Sequence, residues 1–164
     1  MATELPDEVD CRQIVADSGT LAGTIAAARL RRIEAPYRVT DQVHVRLALR
    51  AHEQGGFAVN GNLSVALAAQ CQRCLEWMRL PLEVTVAVVA LSEADAARMA
   101  DDDWVLLADD KLKLRELVED ELLLSCPLAP RHATAGCNAG TDRSDADARR
   151  QPFAALAELL KRQE

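Results

Sequence analysis

The sequence predicts an α+β fold in which an antiparallel β-meander, or a small barrel-like sheet, is combined with N-terminal, central and C-terminal helices. Three successive segments between residues 39 and 88 alternate apolar and polar side chains, which is the period of a half-buried strand. Only short turns separate these segments, and this favours antiparallel neighbours. Segments of helical character precede and follow them, so the chain has the helix, sheet, helix order of an α+β protein.

The length and composition predict one domain with its own apolar core. The chain has 164 residues, of which 49% are hydrophobic, and a chain of this size can bury a core. We expect a single α+β domain over residues 1–137. Residues 138–151 are polar and lack periodicity, which predicts a flexible linker. Pro152 then opens a C-terminal helix over residues 152–164.

Two helical segments are expected before the sheet. The run 21–30 is rich in alanine, and Asp17 or Ser18 is available to cap its N-terminus. A further helical turn is expected in residues 6–16. Pro36 ends this region, because the residue before a proline disfavours helical geometry.

The strands of the meander are predicted at residues 39–51, 57–67 and 80–88. In the second strand, the sequence Asn60-Gly61-Asn62 interrupts the apolar alternation. It predicts a bulge or a tight turn at this point.

Shorter elements are expected after the sheet. Ser92 begins a capping pattern, which predicts a short helix through about Met99, and residues 104–107 predict a short strand. Apolar residues then recur at helical spacing and predict a helix over residues 114–125. Pro127 stops that helix.

The charge distribution limits the kinds of partner. A net charge of −7 argues against a protein that coats nucleic acid by bulk positive charge, and the few aromatic residues argue against extensive base stacking. A local basic patch is compatible with this composition. Residues 92–164 carry 16 acidic and 10 basic side chains. We interpret their acidic clusters, at 101–103, 109–110 and 119–121, as solvated surface rather than as a site for a hard cation.

The sequence predicts a cytoplasmic protein. The N-terminus has neither the basic nor the apolar region of a secretory signal, and no segment approaches the roughly 18 apolar residues of a membrane span. We therefore expect no membrane partner. Five cysteines, an odd number, favour reduced thiols or metal ligands over a disulfide framework in such a protein.

Cys71 and Cys74 have the spacing of a zinc knuckle and lie in the predicted bend between the second and third strands. Two intervening residues let both thiolates turn toward one point, as tetrahedral zinc requires. His132 and Cys137 are the downstream candidates for a second half-site. The four residues together are a candidate set of ligands for one structural zinc ion. The alternative is that they are reduced thiols and a loop histidine that never meet.

The other roles for cysteine are less favoured. Cys126 follows an apolar helical face and is interpreted as a small buried hydrophobe, and Cys11 as inert. A thioredoxin-like redox role for Cys71 and Cys74 requires a helix N-terminus beside the pair. A strand is predicted there instead.

No catalytic set stands out in the sequence. It has no glycine-rich phosphate loop and no nucleophile elbow, so we expect a binding or scaffolding protein rather than an enzyme. Arg73 lies inside the knuckle and Arg131 next to His132. If the two half-sites meet, these arginines form a positive spot for RNA contact; the alternative is two separate surface arginines.

Four ordered motifs resemble those of a known family. They are QCQRC at 70–74, LVEDELLL at 117–124, PLAPRH at 127–132 with Cys137 five positions on, and PFAALA at 152–157 followed by Lys161 and Arg162. In this order and spacing they resemble the YceD family, the large ribosomal RNA subunit accumulation proteins. The resemblance spans nearly the whole chain.

The resemblance implies a bacterial, cytoplasmic, non-enzymatic factor in ribosome biogenesis that supports synthesis, processing or accumulation of large-subunit ribosomal RNA. It places the family's cysteine pair on Cys71 and Cys74, and its histidine and later cysteine on His132 and Cys137. The expected partners are large-subunit ribosomal RNA or a precursor particle, with a basic ribosomal protein as a further candidate. The alternatives are a protein-only adaptor or chaperone for such a protein and, third, a thiol oxidoreductase.

Overall fold

The computed structural model describes residues 3–53, 55–97, 104–108, 111–134 and 137. The helices are α1 (Cys11–Asp17), α2 (Glu93–Ala96) and α3 (Leu114–Ser125). The strands are β1 (Val9–Asp10), β2 (Thr20–Ile25), β3 (Tyr37–Val39), β4 (Val43–Ala51), β5 (Phe57–Gln70), β6 (Trp77–Leu91), β7 (Trp104–Leu106) and β8 (Lys111–Leu112). The predicted α+β class is confirmed. The predicted linker and C-terminal helix, Met99, and the acidic clusters at 101–103 and 109–110 lie outside the described residues.

One six-stranded sheet dominates the structure. Its order is β2-β4-β5-β6-β7, and β3 also pairs with β5. The strands β4, β5 and β6 are consecutive and antiparallel, so the predicted meander is confirmed. The short strand β7 is also confirmed, but it pairs parallel to β6. In the part of the chain that the structure describes, the sheet is open and does not close into the barrel offered as an alternative.

The predicted helix over residues 21–30 is wrong. Residues 20–25 form β2, which pairs antiparallel with β4 from Thr20 opposite Ala48 to Ile25 opposite Val43, and only Ala27–Arg29 forms a single 3-10 turn. Alanine has the highest helix propensity of the amino acids, but intrinsic propensity is a weak preference that tertiary pairing overrides. Here the strand completes backbone pairing along β4 and buries Ile25 fully. The helical turn expected in residues 6–16 is found as α1, where Asp10 accepts a hydrogen bond from the backbone N–H of Gln13 at 3.0 Å.

The expected bulge or turn at Asn60-Gly61-Asn62 is also wrong. Strand β5 runs without interruption, and Gly61 lies opposite Leu47 of β4. A Cβ atom on Gly61 would lie 2.0 Å from the carbonyl oxygen of Arg46. The glycine is required by the close approach of the two strands, not by a turn, and Asn60 and Asn62 alternate onto the other face of the sheet.

Helix α3 covers part of the apolar face of the sheet and has the predicted bounds. Its buried apolar side chains are Leu114, Leu117, Val118 and Leu122. Glu119 is buried as well, with no exposed surface, so the prediction that residues 119–121 form a solvated cluster is wrong for this residue. Its Oε1 atom accepts a hydrogen bond from the backbone N–H of Arg32 at 3.0 Å, and its Oε2 atom lies 3.6 Å from the Arg115 guanidinium.

Two arginines near the 3-10 turn form ion pairs within the fold. Arg29 pairs with Asp7 and Glu4, and its guanidinium holds the pKa of the Asp7 carboxyl below its ordinary value. Arg32 pairs with Asp120 of α3 at 2.6 Å. These contacts attach the N-terminal segment and the loop after β2 to the rest of the fold. Within the described residues, no helix has the length and apolar character needed to cross a membrane.

Candidate metal centre

The knuckle is the tight connection between the two longest strands, as predicted. Strand β5 ends at Gln70 and β6 begins at Trp77, and these two residues are paired. Between them, the N–H of Cys71 donates to the carbonyl of Glu76 at 2.9 Å, and the N–H of Leu75 donates to the carbonyl of Cys71 at 2.8 Å. The cysteine pair is followed by a strand and not by a helix. The arrangement that lowers the pKa of a thioredoxin-like cysteine is therefore missing from this turn.

Leu75 closes the turn in an uncommon backbone conformation. Its φ is 63°, in the left-handed region that glycine adopts most readily. The Leu75 side chain is 63% exposed, so it contributes little apolar burial. The conformation reverses the chain immediately after Cys74 and returns it to the register of β6.

The segment after α3 is held against the knuckle by backbone and side-chain hydrogen bonds. The N–H of Gln72 donates to the carbonyl of Pro130 at 2.8 Å. The Tyr37 hydroxyl of β3 donates to the carbonyl of Pro127. Pro130 is buried. These contacts fix the chain at Pro127 and at Pro130, and Pro130 lies two residues before His132.

The structure brings together all four predicted ligands. The sulfur atoms of Cys71, Cys74 and Cys137 and a ring nitrogen of His132 lie within 4.8 Å of one another. Cys71 is buried and the other three are partly buried. The cluster is a candidate site that can hold a metal ion.

The donor set fits zinc. Tetrahedral Zn²⁺ with Zn–S bonds of about 2.3 Å places its sulfur ligands about 3.8 Å apart, so separations of at most 4.8 Å require only small side-chain rotations. Three thiolates and an imidazole favour zinc over hard cations such as Mg²⁺ or Ca²⁺, which take oxygen ligands. The backbone N–H of Arg73 also lies 3.4 Å from the sulfur of Cys71. An N–H donor of this kind stabilises a thiolate ligand and fixes its orientation.

Cys11 and Cys126 are not members of the cluster. Cys11 is fully buried in the apolar core, as expected for an inert cysteine. Cys126 packs partly buried at the end of α3, where burial raises the pKa of its thiol. Burial also raises the pKa of Tyr37, with a smaller contribution from Cys126. All five cysteines lie among the described residues, and none of them forms a disulfide.

The two arginines predicted to contact RNA, Arg73 and Arg131, are both exposed. Arg73 follows Gln72 in the sequence, and Arg131 follows Pro130. Because the N–H of Gln72 donates to the carbonyl of Pro130, the backbones of the two arginines lie close together. Their contact with RNA stays a prediction.

Sequence reasoning missed the contact between Arg38 and Trp77, in which the guanidinium of Arg38 lies 4.3 Å from the ring centroid of Trp77. No signal in the sequence indicates this contact, because Arg38 and Trp77 are distant in the chain and come together only through the pairing of β3 and β6 with β5.

Comparison with known proteins identifies relatives of the chain. Residues 59–160 match the family described as "YceD: Large ribosomal RNA subunit accumulation protein YceD". The matched segment contains all four candidate ligands and α3. A curated relative from Haemophilus influenzae, named "Large ribosomal RNA subunit accumulation protein YceD", is 25% identical over 151 residues, which are 85% of this chain and 87% of the relative. No solved structure matches the chain.

Proposed function

Because the chain belongs to the YceD family of large ribosomal RNA subunit accumulation proteins, we propose that it is a non-enzymatic factor in ribosome biogenesis. Its role is to support the synthesis, processing or accumulation of large-subunit ribosomal RNA. The observation that carries this proposal is the family match over residues 59–160, which includes the cysteine knuckle, α3 and the second pair of ligands. The curated relative bears the same functional name.

A structural zinc ion is part of the proposal. Cys71, Cys74, His132 and Cys137 are its ligands, and the ion supplies a cross-link between side chains that are 58 or more positions apart in sequence. The residues around them have supporting roles. The Arg73 N–H orients one thiolate, and the Gln72 to Pro130 hydrogen bond holds the incoming chain.

Elemental analysis tests the zinc site directly. We expect about one zinc per purified chain, which is lost in Cys71→Ser and in His132→Ala and retained in Cys126→Ala. The last variant is the matched control, because Cys126 is a partly buried cysteine outside the cluster. Folded wild-type protein that contains no metal would reject the site.

The RNA partner is recognised, in this proposal, by positive charge beside the knuckle. Arg73 and Arg131 are exposed and belong to a chain whose net charge is −7. A local basic spot on an acidic protein can bind phosphate without coating nucleic acid indiscriminately.

The cellular role is tested by measuring ribosomal RNA in cells that lack the protein. We expect the ratio of large-subunit to small-subunit ribosomal RNA to fall. Wild-type protein should restore it, as should Cys126→Ala, whereas Cys71→Ser should not. An unchanged ratio in the deleted cells would contradict the proposed function. Salt-dependent binding to large-subunit RNA that weakens when Arg73 and Arg131 are reversed in charge would support direct contact.

A further inference from the structure

The face of the sheet that points away from the apolar core is basic, although the chain as a whole is acidic. On strands β2 to β6, side chains alternate between the buried face and this outward face. The charged residues at outward positions of these strands are four arginines and one glutamate, namely Arg38, Arg46, Arg50, Arg79 and Glu83, all exposed. This local excess of positive charge contrasts with the net charge of −7.

The basic face is most concentrated at the end next to the knuckle. Arg38 of β3 lies opposite Ala68 of β5, and Ala68 lies opposite Arg79 of β6. The two arginines therefore share one row across the sheet, about 10 Å apart at the backbone, since strands are spaced about 4.8 Å. The small alanine between them leaves the sheet surface open. Two guanidinium groups at this spacing can contact successive phosphates of a nucleic acid strand.

Trp77 adds an aromatic surface to the same end of the face. It lies two residues before Arg79 on β6, so both side chains point outward. Its side chain is 43% exposed, and the Arg38 guanidinium lies 4.3 Å from its ring centroid. An exposed indole packed against an arginine is a platform on which an unpaired base can stack.

A polar groove continues from this end across the middle of the face. Its lining includes His44, Arg46, Asn62, Ser64 and Thr85, which supply hydrogen-bond donors and acceptors. In the register, His44 lies opposite Ser64, and Arg46 lies opposite Asn62. From Arg79 to Thr85 the face extends about 20 Å along β6, long enough for a short strand of nucleic acid but not for a large interface.

We propose that this outward face binds single-stranded RNA, with Trp77 stacking on one base and Arg38, Arg79 and Arg46 contacting phosphates. The inference rests on the proposed function and names the form of RNA and the surface that contacts it. A duplex keeps its bases stacked on one another and offers none to Trp77, so unpaired RNA fits better. Positive charge alone also fits an acidic protein, but the exposed aromatic ring beside polar groups favours a ligand with unpaired bases.

Binding of a labelled 12-nucleotide single-stranded RNA, measured by fluorescence anisotropy at several salt concentrations, tests the surface. We expect Trp77→Ala to weaken binding roughly 5- to 100-fold without changing the salt dependence, because it removes one stacked base. We expect Arg79→Glu to weaken binding and to lower the slope of log affinity against log salt by about 0.7 for each phosphate that is no longer neutralised. Arg31→Glu is the matched control, since it makes the same charge change in an exposed arginine outside the sheet. It should change binding by no more than about twofold.

Tryptophan fluorescence tests the stacking step separately. In Trp104→Phe, Trp77 is the sole indole, because the chain has two tryptophans. RNA should quench the fluorescence of this protein and leave that of Trp77→Phe, which retains Trp104, almost unchanged. Thermal unfolding of each variant shows whether it folds, and Trp77→Phe should bind with an affinity between those of wild type and Trp77→Ala.

The outcomes separate this inference from the proposed function. If wild type binds RNA, Trp77→Ala and Arg79→Glu bind equally well, and reversal of Arg73 and Arg131 abolishes binding, the sheet face is not the site, but RNA contact at the knuckle stands. If wild type binds no RNA at low salt, direct RNA contact fails and this inference fails with it. If polyglutamate displaces the RNA at equal charge and Trp77→Ala has no effect, the occupant is an acidic protein, and the inference is overturned.

Discussion

Among single residues, Leu75 has a backbone conformation that is uncommon for a side chain with a Cβ atom. It is the non-glycine residue with a positive φ in the described chain, 63°. A left-handed conformation costs a residue with a Cβ atom roughly 1–2 kcal/mol. The knuckle tolerates this cost because the hydrogen bonds of residues 71–76 and the start of β6 hold the turn closed.

At position 75, glycine should give a more stable protein than alanine, which is the reverse of the order found in ordinary strands and helices. Both changes remove the same exposed side chain, but only alanine keeps the Cβ atom that opposes a positive φ. We expect Leu75→Gly to be more stable than Leu75→Ala by about 1 kcal/mol in urea denaturation. In ordinary strands and helices glycine is the less stable of the two. The opposite order at this site would mean that the left-handed turn is not formed.

Glu119 is a charged residue that the fold buries completely. It is a buried carboxylate that accepts from the Arg32 backbone and faces the Arg115 guanidinium. We expect Glu119→Ala to lower the free energy of unfolding by about 2–4 kcal/mol, since it removes a buried side chain and leaves a partly buried N–H and part of a cation without a partner. Glu119→Gln keeps an acceptor of the same shape and should cost about 1 kcal/mol.

Glu116→Ala is the control for Glu119 in the same denaturation experiment. Glu116 lies on the same helix, is about half exposed and pairs with Lys113 at 3.6 Å. Exposed pairs of this kind contribute little, so a change within about 0.5 kcal/mol is expected. Equal effects at the two positions would show that Glu119 is not a buried anchor.

At the scale of elements, strand pairing decides several features that local sequence does not. Residues 20–25, at the start of the segment predicted as a helix, form a strand because β4 needs a partner along its free edge. Asn60-Gly61-Asn62 continues β5 because Gly61 lets β4 approach closely, not because the chain turns. In both cases the neighbouring strand overrides the preference of the segment itself.

Gly61→Ala tests the close approach of β4 and β5. A methyl group at this position would lie 2.0 Å from the Arg46 carbonyl oxygen, and backbone on both strands would have to move. We expect a loss of about 2 kcal/mol or more in the free energy of unfolding. Asn62→Ala changes an exposed outward side chain on the same strand and should stay within about 0.5 kcal/mol. A Gly61→Ala protein as stable as wild type would contradict the observed pairing.

For the whole molecule, the candidate metal centre is a link between distant parts of the sequence. Cys71 and Cys74 belong to the hairpin between β5 and β6, whereas His132 and Cys137 follow α3. An ion bound to the folded state and not to the unfolded chain stabilises the fold by mass action.

Metal removal should therefore lower the thermal stability of the whole protein. We expect a chelator at neutral pH to reduce the unfolding temperature of wild type by roughly 6–12 °C, which corresponds to about 3 kcal/mol for a chain of this size. Added zinc should reverse the change. Cys126→Ala should respond as wild type does, and Cys71→Ser should not respond. An unfolding temperature of wild type that is insensitive to the chelator would contradict a structural role for the metal.

The sequence by itself determined those features that depend on local pattern and chemistry. The alternation in β4 and β6, the bounds of α3, the Ser92 cap and the position of the knuckle were all predictable, because period and cap residues are local signals. The four candidate ligands were also chosen from the sequence, by the spacing of Cys71 and Cys74 and of His132 and Cys137. That they bind a metal stays a prediction. The ordered motifs then indicated the family.

Only the tertiary structure decided the rest. Whether residues 20–25 form a helix or a strand depended on the free edge of β4, and whether Glu119 is solvated depended on the loop that covers it. The outward face formed by Arg38, Trp77 and Arg79 joins side chains from two strands that are not neighbours in sequence. Such juxtapositions are set by pairing register, which combines distant segments and leaves no signal in any one of them.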